Sequence, residues 1–337
     1  SCQIGAKKKR GVLILTLATS SSVQLDSNVL TWKHNLIVIA NTNLINRSLI
    51  PIFIFFVLLL LLVPFFGVEV KGAKRWLNFY IFRFQPVEFV KPFFILVVAQ
   101  IISSSKIKSL NLSHIISFLF LSIITSLLLF QPDVGQTILL AVSWASLIFV
   151  SGFSIIFLIL IFFFLIFLFF LLLYLAPERF SYIISRITSF MDPEKSGWSQ
   201  SQKAIEAIKQ GGLKGRGMGE GILKENVPEA HTDYIIAVVS EEFGSVVSVS
   251  IIIIFLFIAF RIIKKVISFS NNYYKLALCG LISLIIFQAF IHIGVNANLL
   301  PTTGMTLPFL SYGGSSLLST GIVAGIVLNY TSLNEKN

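Results

Sequence analysis

Charged residues are scarce in this sequence, and their scarcity excludes an ordinary soluble protein. Only 12% of the 337 residues are Asp, Glu, Lys or Arg, whereas 55% are apolar and the mean hydropathy is +0.88. Residues 134–177 and 276–334 carry no formal charge, and each run exceeds the about 20 residues that a membrane-spanning helix needs. We therefore predict an all-α, multi-pass membrane protein.

Several signatures of soluble enzymes are also missing. The two cysteines, Cys2 and Cys279, offer neither the spacing of zinc ligands nor a disulfide framework. No Gly-x-Ser-x-Gly or His-Glu-x-x-His motif occurs, so hydrolase and metalloprotease activities have no support. The glycine series of residues 211–221 lacks the lysine and hydroxyl of a P-loop and follows no predicted strand, which argues against nucleotide binding. A flexible loop over a groove on the lipid side is the better interpretation.

Acidic residues are fewer than basic ones, and the net charge is +11. The chain is also rich in Phe, Ile and Lys, which AT-rich codons favour, so codon bias explains the global charge and we expect no nucleic-acid partner. The positions of the cations are more informative. Lys71, Lys74, Arg75 and Arg83 fall on the side of the membrane that we assign as outer, against the positive-inside rule. This cationic rim suits a substrate carrying phosphate, although a solvated surface is an equally good interpretation.

Eight apolar segments are predicted to span the membrane. They are residues 48–68, 87–102, 112–130, 134–150, 153–176, 234–260, 273–295 and 313–330. The apolar stretches of residues 1–47 are too short to cross, so we interpret this part as a shortened N-terminal region with remnants of membrane helices, and a signal peptide as the less favoured alternative. Residues 48–330 form the membrane domain, and residues 331–337 form a C-terminal tail.

Residues 177–232 make up the one long polar segment, which we predict to be a large periplasmic loop. Loops of this length are usually functional or disordered. Residues 199–210 carry apolar side chains at helical spacing, which predicts a short amphipathic helix on the membrane surface. Gly211 and Gly212 would end it.

Ionisable residues at membrane depth are costly and therefore need an explanation. Glu88 and Lys91 are three residues apart, so they either form a structural ion pair or grip a ligand. Asp133 follows a proline at a helix start, where capping of the helix competes with chemistry. Glu241 and Glu242 are expected to pair with basic residues of neighbouring helices.

Asp233 is the first candidate for a general base. It stands at the mouth of a predicted membrane helix, two residues after His231, and a carboxylate placed there can accept a proton from a substrate. One histidine and one acid do not make a metal site. Residues 296–316 hold several prolines and glycines without a charge, so we expect them to be buried or re-entrant.

The segment of residues 300–316, LPTTGMTLPFLSYGGSS, resembles the signature of the SEDS family, the FtsW, RodA and SpoVE proteins of bacterial cell-wall synthesis. Further matching motifs follow in family order at residues 67–76, 85–91, 131–135 and 228–233. The resemblance covers residues 51–330, and residues 215–221 and 306–308 look more like the division branch, FtsW, than the elongation branch, RodA. Two features depart from the family: the first two of its ten membrane helices are shortened here, and His292 replaces an expected asparagine.

The resemblance implies a SEDS-type helical bundle that acts as a peptidoglycan glycosyltransferase. Such an enzyme polymerises lipid II into glycan strands on the outer face of the bacterial inner membrane, at the division septum, with a class B penicillin-binding protein and other divisome proteins. Asp233 would be the catalytic base. The implied substrate-binding residues are Lys74, Arg75, Glu88, Lys91, Asp133, Arg216, His231, Ser311 and Tyr312. A lipid II flippase and a divisome scaffold without chemistry are the alternatives, and a requirement for a divalent cation stays open.

Overall fold

The computed structural model describes most of the chain after residue 41. The described residues are 42–70, 73–79, 82–104, 110–154, single positions between 156 and 174, 181–191, 200–223, 227 and 230–333. The predicted helix remnants before residue 42 and the end of the tail lie outside these residues. Lys71 also lies outside them.

The described residues form ten helices and three strands with defined ends. The helices are α1 (Thr42–Phe66), α2 (Pro86–Ser103), α3 (Leu110–Phe130), α4 (Val134–Val150), α5 (Ser181–Met191), α6 (Gln200–Gly211), α7 (Ile235–Phe243), α8 (Ser245–Ile267), α9 (Asn272–Asn296) and α10 (Gly314–Leu333). Five of them, α1, α2, α3, α8 and α9, are long and apolar enough to cross a membrane, and α4 is a shorter apolar helix. The prediction of a helical, multi-pass membrane protein is confirmed, and the described positions from 156 to 174 in the fifth predicted span are helical.

Helices α2 and α9 form the centre of the bundle. In an apolar stretch of 18 residues in each helix, 83% of the α2 residues and 61% of the α9 residues are buried. The corresponding shares are 22% for α1 and 17% for α8. Gly280 allows the central pair to approach closely, because a Cβ atom there would lie 2.5 Å from a methyl carbon of Ile95. The outer helices α1 and α8 therefore present most of their apolar surface to lipid.

The predicted span of residues 234–260 is wrong, because two helices occupy it. Gly244 separates α7 from α8 with a φ of 84° and a ψ of 166°. A side chain at Gly244 would place its Cβ atom 2.1 Å from the carbonyl oxygen of Leu213, so the close approach of the two backbones requires glycine. Helix α7 has nine residues, which is too short to cross, and α8 is the membrane span.

A small antiparallel sheet, absent from the prediction, connects α1 to α2. Its strands β1 (Val68–Val70), β2 (Ala73–Phe79) and β3 (Phe82–Phe84) pair in the order β1-β2-β3. Val68 lies opposite Trp76, and Asn78 lies opposite Arg83. Three basic residues of the predicted cationic rim lie on the strands of this sheet, Lys74 and Arg75 on β2 and Arg83 on β3.

The predicted amphipathic helix is confirmed as α6, but its apolar face packs on protein. Ala204 and Ala207 are buried in a small cluster with Tyr234 and Ala237 at the start of α7. Because this cluster covers the apolar stripe, the long polar segment is attached to the bundle beside Asp233.

The membrane topology can be tested with two cysteine substitutions at opposite ends of α8. Met218 is 84% exposed in the loop that bonds to the start of α8, and Ile267 is 77% exposed at its end. In a variant without the native cysteines, we expect Met218→Cys to react with a membrane-impermeant maleimide in intact spheroplasts. Ile267→Cys should react only after lysis, because α8 crosses the membrane between the two positions. The reverse labelling pattern would place the long polar segment in the cytoplasm.

Candidate functional site

A buried ion pair joins the sheet to the start of α4. The Nε atom of Arg75, on β2, lies 3.7 Å from Oδ2 of Asp133, and Nη2 of Arg75 donates a hydrogen bond to the carbonyl oxygen of Pro132. The side chains are 14% and 4% exposed. Burial raises the pKa of the Asp133 carboxyl, whereas the charge of Arg75 acts in the opposite direction. Asp133 occupies the N-cap position of α4, and the backbone amide of Gln136 acts with Arg75 to oppose the rise in its pKa.

A second cation and a second acid meet at the signature segment, which we define as residues 300–313. Nη1 of Arg186, on α5, donates a hydrogen bond of 2.6 Å to the carbonyl oxygen of Thr302. A Cβ atom at Gly304 would lie 3.8 Å from Oδ2 of Asp233 and 4.0 Å from Nη1 of Arg186. Burial lowers the pKa of the Arg186 guanidinium, the charge of Arg75 lowers it further, and that of Asp233 raises it. The four charged groups therefore lie near enough to influence one another.

The sequence prediction missed Arg186. It lies in a polar segment with many basic residues, and no matching motif contains it. One local signal was present: Arg186 is the single charged residue of α5, whose other side chains include several apolar ones. A lone cation in an amphipathic helix is a reason to look for an anionic partner.

The signature segment is bonded to the residues that precede α7. The hydroxyl of Ser311 donates to the carbonyl oxygen of Thr232 at 2.7 Å and accepts the amide of Leu307 at 2.7 Å. The amide of Tyr312 donates to the carbonyl oxygen of His231 at 3.1 Å. Ser311 is thus buried and its hydroxyl joins two backbone segments. The side chains of His231 and Tyr312 are exposed, and Tyr312 is 82% exposed.

Asn296 fixes Asp233 from the end of α9. Its Nδ2 donates to the carbonyl oxygen of Asp233 at 3.0 Å, and its Oδ1 accepts the amide of Ala237 at 3.2 Å. The backbone at Asp233 is therefore held on both sides, by Asn296 of α9 and by the bond from Ser311 of the signature segment to Thr232. The predicted burial of this segment is only partly correct, because Met305 and Leu307 are buried whereas Phe309 is 45% exposed.

Glu88 and Lys91 form the predicted pair and lie in the middle of a buried polar network. Nζ of Lys91 donates to Oε1 of Glu88 at 2.9 Å and to Oε1 of Gln136 at 2.8 Å. Gln288 extends the network by donating to the carbonyl oxygen of Thr306 at 2.9 Å. The two glutamines were not predicted, since only the packing of α2 against α4 and α9 brings them to the pair. A ligand-gripping role for Glu88 and Lys91 stays a prediction.

Glu241 holds the glycine-rich loop instead of pairing with a neighbouring helix. Its carboxylate, 1% exposed, accepts the amides of Ile222 at 2.9 Å and Leu223 at 3.0 Å. Nη1 of Arg216 approaches it at 3.5 Å. A Cβ atom at Gly215 would lie 2.2 Å from the carbonyl oxygen of Glu242, so the glycines allow the loop to contact the end of α7. This packed loop differs from the flexible loop that was expected.

One residue of the predicted site, Lys74, lies apart from these groups. Lys74 is exposed on β2, and its Cα atom lies opposite that of Glu69. In the described part of the chain, no three or more His, Cys, Asp or Glu side chains form a group that could hold a metal ion. The question of a divalent cation therefore stays open.

These features define a multi-pass membrane protein with a cluster of charged groups beside an uncharged, non-helical segment. Residues 28–336 match the family described as cell cycle protein, which comprises FtsW, RodA and SpoVE. The chain belongs to this family. Among its curated relatives, a probable peptidoglycan glycosyltransferase FtsW of Caulobacter vibrioides is 37% identical over 84% of this chain and 72% of its own length. The stage V sporulation protein E of Bacillus subtilis is 33% identical over 84% of this chain and 78% of its own length.

Solved structures share the fold. A peptidoglycan synthase complex, described as coordinating polymerization and crosslinking, matches with a TM-score of 0.71 at 24% identity, over 91% of this chain and 87% of its own chain. The rod shape determining protein RodA of Thermus thermophilus matches with a TM-score of 0.60 at 25% identity, over 86% of this chain and 80% of its own.

We predict that Glu241→Gln destabilises the protein by about 1 to 3 kcal/mol. The amide keeps the shape of the carboxylate but presents an NH₂ group to one of two buried backbone amides, which loses its acceptor. Thermal unfolding of the purified protein in detergent, together with the yield of folded protein, measures the effect. Glu220→Gln, an exposed change in the same loop, is the matched control and should leave the unfolding temperature unchanged. Equal unfolding temperatures for both variants would contradict the bonding assigned to Glu241.

Proposed function

We propose that this protein is a peptidoglycan glycosyltransferase that polymerises lipid II, with Asp233 as the general base. The supporting observation is the position of the Asp233 carboxylate at Gly304, inside the segment that resembles the family signature and opposite the guanidinium of Arg186. Relatives that are 33% to 37% identical over most of this chain are named as probable peptidoglycan glycosyltransferases.

The reaction joins two sugars and releases a lipid pyrophosphate. A hydroxyl of the acceptor sugar attacks the anomeric carbon of the donor, and the bond from that carbon to the pyrophosphate oxygen breaks with its electron pair going to the pyrophosphate. Asp233 takes the proton of the attacking hydroxyl, which makes the oxygen a better nucleophile as the new bond forms. Cations near the pyrophosphate stabilise the charge that grows on the leaving group.

The remaining predicted site residues contribute to substrate binding in this proposal to different degrees. Arg75 and Asp133 border the charged cluster directly. His231 lies two residues before Asp233 in the chain, and its side chain is exposed. Tyr312 is also exposed, and its amide bonds to the carbonyl oxygen of His231. The other predicted residues act at a greater distance from Asp233 or by holding the segments around it. They are Lys74, Glu88, Lys91, Arg216 and Ser311.

The cellular setting follows from the same proposal. We place the protein in the bacterial inner membrane, at the division septum, because the relatives named FtsW share most of its length. A class B penicillin-binding protein is the proposed partner, since a peptidoglycan synthase complex that links polymerization to crosslinking has the same fold. Other divisome proteins complete the proposed assembly.

Asp233→Asn is the direct test of the proposed base. The asparagine keeps the size of the side chain but cannot accept the proton, so polymerisation should fall by about 10²- to 10⁴-fold while membrane insertion stays intact. The assay is polymerisation of purified lipid II by the reconstituted protein together with its penicillin-binding partner.

The exposed acid Glu220 supplies the matched control for this test. Glu220→Gln removes the same charge from the same side of the membrane, and its rate should equal that of the wild type. Near-normal glycan synthesis by Asp233→Asn would eliminate Asp233 as the base. Absence of polymerisation by the wild type itself would favour the flippase or the scaffold.

Comparison of Arg75→Ala with the double variant Arg75→Ala/Asp133→Asn distinguishes a role of Arg75 in lipid II binding from a role in stability. The single change should weaken lipid II binding by about 1.5 to 3 kcal/mol through loss of a charged hydrogen bond. It should also lower the unfolding temperature, because it leaves a buried carboxylate without its counter-charge. The double variant should regain stability, since both charges are gone, but it should not regain affinity. Recovery of both properties in equilibrium binding and thermal unfolding would show that Arg75 acts only as the partner of Asp133.

A further inference from the structure

We infer that Arg186 binds the pyrophosphate of the lipid-linked donor and places its anomeric carbon beside Asp233. The inference rests on the proposed function, because it names the group that recognises the substrate in the same site. Arg186 belongs to none of the motifs that carry the family resemblance, and only the packing of α5 on the signature segment brings it to the site.

The position of Arg186 is determined by the backbone that surrounds the base. Its Nη1 bonds to the carbonyl oxygen of Thr302, two residues before Gly304 in the chain. Both Nη1 of Arg186 and Oδ2 of Asp233 lie within 4.0 Å of the point that a Gly304 Cβ atom would occupy. The base and the cation therefore flank the same point of the signature segment, as the simultaneous contact of one sugar pyrophosphate with both groups requires.

The electrostatics of the cluster favour an anionic ligand. Two guanidinium groups, those of Arg186 and Arg75, are near enough to repel each other, and both residues are half-buried. Burial and the charge of Arg75 lower the pKa of Arg186, which shows that the charged form is costly there. Asp133 and Asp233 offset part of this cost. A pyrophosphate bound between the two cations would offset more of it, and its charge grows as the glycosidic bond forms.

Arginine is also the side chain that suits this ligand geometrically. The planar guanidinium presents its N–H groups as a fork that matches two phosphate oxygens, whereas an ammonium group acts as a point charge. We therefore expect the substitution of Arg186 by lysine to keep part of the binding and the substitution by glutamine to lose nearly all of the electrostatic contribution.

The test measures binding of lipid II to the full chain in nanodiscs, with inorganic pyrophosphate as competitor. Arg186→Gln should raise the Kd for lipid II by about 10- to 100-fold, and Arg186→Lys by a smaller factor. Inorganic pyrophosphate should compete less well with lipid II in both variants, and the loss of competition should be larger in Arg186→Gln than in Arg186→Lys. Arg261→Gln is the matched control, because Arg261 is exposed at the far end of α8, and its Kd should equal that of the wild type.

A structural role for Arg186 predicts a different result. Loss of the bond to Thr302 alone would lower the unfolding temperature of Arg186→Gln without changing the competition by pyrophosphate in the folded fraction. Arg186→Lys keeps a charge and a donor, so it provides a folded variant in which the same competition is measured. An unchanged Kd and unchanged competition in Arg186→Lys and Arg186→Gln would overturn the inference.

The experiment also distinguishes this inference from the proposed function. Asp233→Asn should bind lipid II with a Kd near that of the wild type while losing polymerisation. If the wild type binds lipid II through Arg186 but polymerises none of it with its partner present, the anion site stands and the glycosyltransferase proposal fails. If the wild type polymerises lipid II and the Arg186 variants bind it normally, the proposal stands and the inference fails.

Discussion

The backbone of the signature segment must find its hydrogen-bond partners inside the protein, and the rest of the site depends on this constraint. Within a membrane, an irregular segment is tolerated only where protein or a water-filled cavity satisfies its polar groups. Ser311 satisfies the amide of Leu307, and Gln288 satisfies the carbonyl oxygen of Thr306. His292, at the position where the family resemblance implies asparagine, donates from Nδ1 to the carbonyl oxygen of Met305 at 2.8 Å.

The same bonds determine where the charged groups can lie. Arg186 reaches the segment through the carbonyl oxygen of Thr302, and Asp233 follows the residues to which Ser311 is bonded. Gly135, at the start of α4, packs against Thr303 and Met305, with a Cβ position 3.0 Å from the nearest atom. Segments that are distant in the sequence are therefore assembled around one stretch of backbone.

In the part of the bundle that the structure describes, several buried charged side chains have a partner of opposite sign. Among the described residues, Arg75 pairs with Asp133, Lys91 with Glu88, and Arg216 with Glu241. Such pairs compensate the loss of hydration only when hydrogen bonds complete them, as Gln136 does for Lys91. This arrangement lets the protein hold several ionisable groups near a lipid-facing site without a net buried charge at each position.

Much of the fold could be predicted because its signals are local. Apolar runs of sufficient length identified the membrane helices, and the three-residue spacing of Glu88 and Lys91 predicted their ion pair, since a helix places such residues on one face. The family resemblance also implied that Asp233, Ser311 and Tyr312 belong to one site. Composition, spacing and motifs are present in the sequence before the chain packs.

The remaining features were decided by contacts between segments that are distant in the sequence. The break at Gly244 depends on the carbonyl oxygen of Leu213, and the environment of Glu241 depends on the glycine-rich loop. Arg186 enters the site through its bond to the carbonyl oxygen of Thr302. No periodicity encodes these contacts, because each arises from the close approach of two backbones, and only the packed bundle determines which segments meet.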